Sequence, residues 1–171
     1  MKKSDYHTLA FIALGSNLGD SVSAIRTAIE RLRLFSVRPP LESSLWQSEP
    51  VDCPPGSPMF VNAAVGLAPR PHETPETLLA KLQALEKEFG RPPKKVLNEP
   101  RPLDLDLIVF GNEVRATPAL TLPHPRAHLR RFVLQPLAEI APDMVLPGQT
   151  RTVSQLLREL TSGPSVRKLK V

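Results

Sequence analysis

The segment Arg101-Pro102-Leu103-Asp104-Leu105-Asp106-Leu107-Ile108-Val109-Phe110 sets two carboxylates, one residue apart, inside a strongly apolar run. In a strand, successive side chains alternate faces. Asp104 and Asp106 therefore share one face, about 6.6 Å apart along the chain, while Leu103, Leu105, Leu107 and Val109 take the other and can enter a core. Burying such a pair without a partner is costly, and the two charges repel each other. A cation must meet them. A nearby arginine can serve, but Mg²⁺ serves better, because it takes one or two carboxylates and completes its shell with water and phosphate oxygens. Taken alone, an Asp-x-Asp is more often an edge strand with two solvated carboxylates, so the rest of the chain has to decide.

A chain of 171 residues, 41% hydrophobic, fits one domain with a real core. Its 20 prolines against 8 glycines fall mostly between periodic segments, where they stiffen loops. The single cysteine, Cys53, has no partner for an internal disulfide, which suits a reducing compartment. Met1–Asp5 is followed by no long apolar run, so it resembles no signal peptide, and no stretch approaches the roughly 20 apolar residues of a membrane helix. The expectation is a cytoplasmic protein with no membrane contact. A net charge of +5 points to an anionic partner, nucleic acid or a small polyphosphate, and equally fits an ordinary solvated surface.

Element order follows from periodicity. Thr8–Leu14 reads as a short strand ending in the turn-rich Gly15-Ser16-Asn17-Leu18-Gly19-Asp20. Asp20 or Ser21 caps a helix with Val22, Ile25, Ile29 and Leu32 at 3–4 spacing. Strands are expected around Ser44–Ser48 and over Met59–Leu67, the latter with Val61, Ala63, Val65 and Leu67 on one face. Thr74-Pro75-Glu76 opens a second helix that continues through Leu78, Leu82, Leu85 and Phe89 to Gly90. The aspartate strand follows. This order predicts an α+β, ferredoxin-like β-α-β-β-α-β antiparallel sheet, with helices on one face. Arg126–Ile140 and Val153–Leu160 are expected to add C-terminal helices. The whole is read as one domain over 1–171, with a core over 8–147 and a helical extension over 148–171.

Outside the aspartate strand, each candidate for chemistry also has a bland reading. His124 lies between Pro123 and Pro125, which hold it rigidly, as they would a surface turn. Arg126, Arg130 and Arg131 crowd one helix start, a solvated basic face by default, although the planar guanidinium suits phosphate. Phe132 is core or an exposed ring. Gln83 and Glu86 share the more polar face of the second helix. Lys94 and Lys95 occupy the loop before the aspartates.

Together these residues are specific. Gly15-Ser16-Asn17-Leu18-Gly19, Phe60-Val61-Asn62-Ala63-Ala64-Val65, Arg101-x-Leu103-Asp104-Leu105-Asp106, Phe110-Gly111-Asn112-Glu113 and Leu122-Pro123-His124-Pro125-Arg126 occur in that order. Over roughly residues 8–147 the chain resembles the 6-hydroxymethyl-7,8-dihydropterin pyrophosphokinases of folate biosynthesis. The resemblance implies transfer of the terminal pyrophosphoryl group of ATP to the pterin hydroxymethyl, with release of AMP. It implies two Mg²⁺ ions on Asp104 and Asp106. Arg101, His124 and Arg130 match triphosphate-binding cations, Arg91 a loop arginine that closes over the site, and Gln83 a residue near the nucleotide. Phe60 and Phe132 match the rings that sandwich the pterin, Asn62 an amide reading its edge, and Ser48 and Val51 a loop giving backbone contacts. Catalysis would rest on Arg91, Arg101, Asp104 and Asp106, and a monomer is expected.

The chain also departs from that pattern. Asn98-Glu99-Pro100-Arg101 stands where many members carry Trp-Gly-Pro-Arg, Pro93 replaces a second loop arginine, and Pro125 replaces a tyrosine. The rival reading is a nucleic-acid-binding module, since the RNA recognition motif shares the ferredoxin-like plan. Asp104 and Asp106 on the central strand would repel a phosphate backbone unless metal intervenes, and aromatics are only 5% of residues.

Overall fold

The first strand, β1 (Ala10–Ser16), is largely buried. The computed structural model describes residues 3–90 and 98–171. From β1 the chain enters α1 (Ser21–Arg33), capped by Asp20, whose side chain accepts the Ser23 N–H at 3.0 Å. Two short strands follow, β2 (Leu41–Glu42) and β3 (Trp46–Ser48), then the long β4 (Phe60–Leu67). Thr74 and Thr77 form a reciprocal cap on α2 (Pro75–Glu88), with Pro75 at the first position. Gly90, at φ +83°, leaves the helix in the left-handed conformation that glycine takes at little cost. After β5 (Asp104–Phe110), a small hairpin of β6 (Arg115–Ala116) and β7 (Thr121–Leu122) leads to α3 (Arg131–Ile140), α4 (Val153–Glu159) and β8 (Val166–Lys168).

The main sheet runs β5-β1-β4-β3-β8 with antiparallel pairings, and β2 also pairs with β4. Its first four strands carry the expected ferredoxin-like order. One face packs Leu103, Leu105, Leu107, Val61, Ala63 and Val65 against Ile25, Ile29 and Leu32 of α1 and Leu78, Leu82 and Leu85 of α2. The other packs Phe11, Ala64 and Val109 against Val133, Leu134 and Leu137 of α3 and Val153 and Leu156 of α4. Both faces are therefore covered, where the sequence pattern placed the first two helices on one face and left the position of the others open.

Three local expectations change. Val109 joins the α3 side and not the leucine face, because the β1–β5 register shifts by one residue between Phe11 and Ile12, leaving Ile108 without a cross-strand partner. The helix expected from Arg126 starts at Arg131. Ala127–Leu129 makes a single 3₁₀ turn, and Arg130 is extended at φ −115°, ψ 110°. Arg126 and Arg130, four apart, look helical in sequence but belong to two segments. The C-terminal stretch is not wholly helical: after α4 it ends in β8, whose Val166–Lys168 pairs with β3.

Glu139 of α3 fastens that edge. It accepts from the Ser44 amide (3.0 Å), the Ser44 hydroxyl (2.7 Å) and Trp46 Nε1 (3.0 Å), and pairs with Lys168 at 3.2 Å. Burial pushes this carboxyl up, but the bonds from Ser44, Trp46 and Lys168 outweigh burial and hold it below its ordinary range. Glu139→Ala is expected to lower unfolding stability at pH 7 by about 1–3 kcal/mol. A carboxyl whose folded pKa is depressed adds stability above its unfolded pKa, roughly 4.3, and loses it as pH falls through the folded value. The difference between wild type and variant in urea melts should thus be full at pH 7 and shrink steadily below about pH 4.3. A gap independent of pH would assign Glu139 to packing alone.

Candidate active site

Across the sheet, Asp106 lies opposite Ala13 and Asp104 opposite Gly15, while Gly15 in turn lies opposite Asn62. Directly opposite residues share a face, so both carboxylates stand over small neighbours on the α3 side of the sheet. Room is left above them. There the fold opens a cleft of about 560 Å³. Gln83 and Glu86 of α2, Asp104 and Asp106 of β5, and the segment carrying His124, Arg126, Arg130 and Phe132 form one part of its lining. Ser48, Val51, Phe60, Asn98 and Arg101 line it as well. A groove of about 650 Å³ lies elsewhere, between α1 and the C-terminal strand. There Arg33 is already bonded to Glu42 at 2.6 Å and Lys168 to Glu139 at 3.2 Å.

The carboxylates are held in strained electrostatic company. Burial, then the charge of Asp104, raise the Asp106 carboxyl to about 7. Arg130 and Arg101 pull it down, and Glu86 adds to the rise. Asp104 accepts from Arg101 Nη1 at 3.1 Å. Glu86, only 7% exposed, accepts the Leu105 N–H at 2.8 Å, fixing the backbone between the two aspartates. Among the described residues no group of three or more acids, histidines or cysteines gathers for a metal. Two neighbouring carboxylates, one of them pushed up by burial, in a cleft lined by arginines, fit a divalent cation that also takes phosphate oxygens.

His124 is placed by the register shift: its N–H bonds to the carbonyl of Ile108, the residue without a cross-strand partner, at 2.8 Å. Burial, Arg130 and Arg126 lower its pKa to about 4, so the ring is neutral at pH 7. Its Nδ1 accepts the Arg126 N–H at 3.2 Å, which leaves the proton on Nε2. The resemblance groups His124 with cations, and burial beside Arg130 and Arg126 disfavours its charged form. Arg130 sits 5.6 Å over the Phe132 ring, and burial, with Arg126, lowers its own pKa.

Of the residues singled out from sequence, Gln83, Arg101, Asp104, Asp106, His124, Arg130, Ser48, Val51, Phe60 and Phe132 all line this cleft. Asn62 does not line it. At 3% exposure it lies behind the wall and donates to Ser48 Oγ at 2.8 Å. Arg91, with Pro92, Pro93, Lys94 and Lys95, lies outside the described residues. Glu86, noted in sequence on the helical face of Gln83, also lines the cleft, as do Asp52 and Cys53, which carried no sequence signal for it.

Asn17 was visible in sequence as part of a turn and of the block Gly15–Gly19, with no role assigned to it. It is 2% exposed; its N–H donates to the Arg101 carbonyl (3.2 Å), and its Oδ1 accepts the Arg101 N–H (3.0 Å). Its Nδ2 donates to the Pro58 carbonyl at 3.3 Å.

Residues 11–142 match the family described as 7,8-dihydro-6-hydroxymethylpterin-pyrophosphokinase. The chain is similar to the 2-amino-4-hydroxy-6-hydroxymethyldihydropteridine pyrophosphokinase of Haemophilus influenzae, 39% identical over 152 residues, covering 88% of this chain and 89% of that protein. It is 39% identical over 138 residues to the folic acid synthesis protein fol1 of Pneumocystis carinii, covering 80% of this chain but 18% of that much longer one. Among solved structures, the wild-type HPPK-DHPS of Plasmodium falciparum with pteroate superimposes at a TM-score of 0.67 and 13% identity. The match covers 88% of this chain and 42% of that chain, and carries the fold alone.

Proposed function

The chain belongs to the 7,8-dihydro-6-hydroxymethylpterin-pyrophosphokinase family, and we propose that the cleft above Asp104 and Asp106 is where it transfers pyrophosphate from ATP to 6-hydroxymethyl-7,8-dihydropterin in folate synthesis. The observation that supports this reading is the shared cleft itself. Carboxylates and cations for a triphosphate occupy one part, and two phenylalanine rings with a bonded Ser48–Asn62 pair lie at its wall.

Pyrophosphoryl transfer asks a protein mainly for in-line positioning and charge neutralisation. Asp104 and Asp106 would hold two Mg²⁺ ions, and the chemistry those supply is neutralisation of the triphosphate and activation of the attacking hydroxyl. Arg101 and Arg130 take phosphate oxygens as planar donors, and His124 adds an uncharged Nε2–H. Gln83 stands by the nucleotide. Arg91 is proposed as a further phosphate ligand. Phe60 and Phe132 take the flat pterin between them, Ser48 and Val51 meet its edge, and Asn62 holds Ser48 in place. We further propose that the protein acts as a monomer, since one chain builds the whole cleft, and in the cytoplasm, where its lone Cys53 stays reduced. Among the described residues no helix is long and apolar enough to cross a membrane. The nucleic-acid reading loses support in the fold, because among the described residues α1/α2 and α3/α4 pack against the two faces of the sheet.

AMP release from Mg-ATP, measured with and without 6-hydroxymethyl-7,8-dihydropterin, tests the proposal. Release that ignores the pterin would overturn it. Phe132 packs partly against the α3/α4 core, so its ring is tested separately. Phe132→Ala is expected to weaken pterin binding by about 1–3 kcal/mol, with a much smaller effect on a non-hydrolysable ATP analogue, in calorimetry with Mg²⁺ present. Equal losses for both ligands would make Phe132 a core residue only.

A further inference from the structure

We infer that Asn17 and Asn98 are positioning residues that tie the pterin side of the cleft to its triphosphate side, so that occupancy of one side organises the other. Asn17 is nearly fully buried and holds three segments together. Two bonds clamp the Arg101 backbone, and one reaches Pro58 at the end of the loop that begins beyond Ser48. Arg101 in turn bonds Asp104. A displacement of the Val51–Pro58 loop therefore passes through Asn17 and Arg101 to the carboxylate pair.

Asn98 makes the second tie between the same two segments. Its Nδ2 donates to the Asp52 carbonyl at 2.8 Å. Both residues are in the left-handed region, Asn98 at φ +54° and Asp52 at φ +50°, a conformation that Asn and Asp enter more readily than other side-chain-bearing residues. The Asn98 side chain thereby joins residues 98–101 to the loop. Two hydrogen-bonded links, at Pro58 and at Asp52, make the loop and residues 98–101 one unit. An energetic link of this kind is reciprocal, since each ligand must tighten the other by the same factor.

The inference rests on the two-substrate reading above, and calorimetry separates the two. Kd values for the pterin are measured with and without a saturating Mg²⁺–ATP analogue, and for the analogue with and without the pterin, in wild type, Asn17→Asp and Asn98→Gly. Asp keeps the acceptor for the Arg101 N–H and removes the donor to Pro58. Gly keeps the left-handed backbone and removes the donor to Asp52. Wild type is expected to show mutual tightening of about 10-fold or more. Each variant should cut that factor about 3-fold or more, while the analogue alone binds within about 3-fold of wild type. A wild-type factor of one, or factors unchanged in the variants, overturns the coupling. Failure of wild type to bind either ligand overturns the two-substrate reading as well. If Asn17→Asp does not fold, Asn98→Gly, at a partly exposed site, decides alone.

Discussion

Asp104→Asn and Asp106→Asn, or the corresponding alanines, are expected to abolish turnover while leaving the fold intact. Both carboxylates rise from the same face of β5 into the cleft, over Gly15 and Ala13, and burial with the charge of Asp104 makes ionised Asp106 a poor resident without a divalent cation. Asparagine keeps the shape and removes the charge, so the sheet register should survive. Circular dichroism and melting temperature then report the fold, and AMP release reports the reaction. A pair that acts as one metal-holding unit loses nearly everything when either member goes, because the remaining carboxylate no longer fixes the cation against phosphate. Retention of more than about a tenth of wild-type turnover by either variant, at saturating Mg²⁺, would remove the two-metal assignment.

Arg101→Ala should lower kcat/KM by about 10²-fold or more, the loss expected when a charge contact made in the transition state disappears. Arg101 is well placed for this. Asn17 grips its backbone from both sides, and its guanidinium already meets Asp104. Asn98→Ala, by contrast, should change kcat by less than about 10-fold, since its side chain touches a loop carbonyl and not the phosphate cradle. Steady-state kinetics on the two variants give the comparison. Similar losses at both positions would mean that Asn98 carries a direct catalytic contact, and a benign Arg101→Ala would take the arginine out of the mechanism.

Local pattern carried much of this protein. Period-two apolarity marked β4 and β5, and Asp20, the Thr74-Pro75 pair and Gly90 marked helix ends, because alternation and capping are short-range physics that a few adjacent residues settle. The carboxylate pair was legible for the same reason, as a charge pattern incompatible with its apolar surroundings. The candidate cleft residues were gathered by resemblance, and the fold brings all but Asn62 and the undescribed Arg91 to one opening. What the tertiary structure alone decided lies in contacts between distant segments. The register shift that moves Val109 to the α3 face and frees the Ile108 carbonyl for His124 depends on how β1 meets β5. The neutral state of His124 comes from burial beside Arg130 and Arg126. The break before α3 separates Arg126 from Arg130, although their spacing is helical. Asn17, part of a turn motif in sequence, reaches its partners at Pro58 and Arg101, 41 and 84 positions away along the chain, a separation that no local pattern encodes.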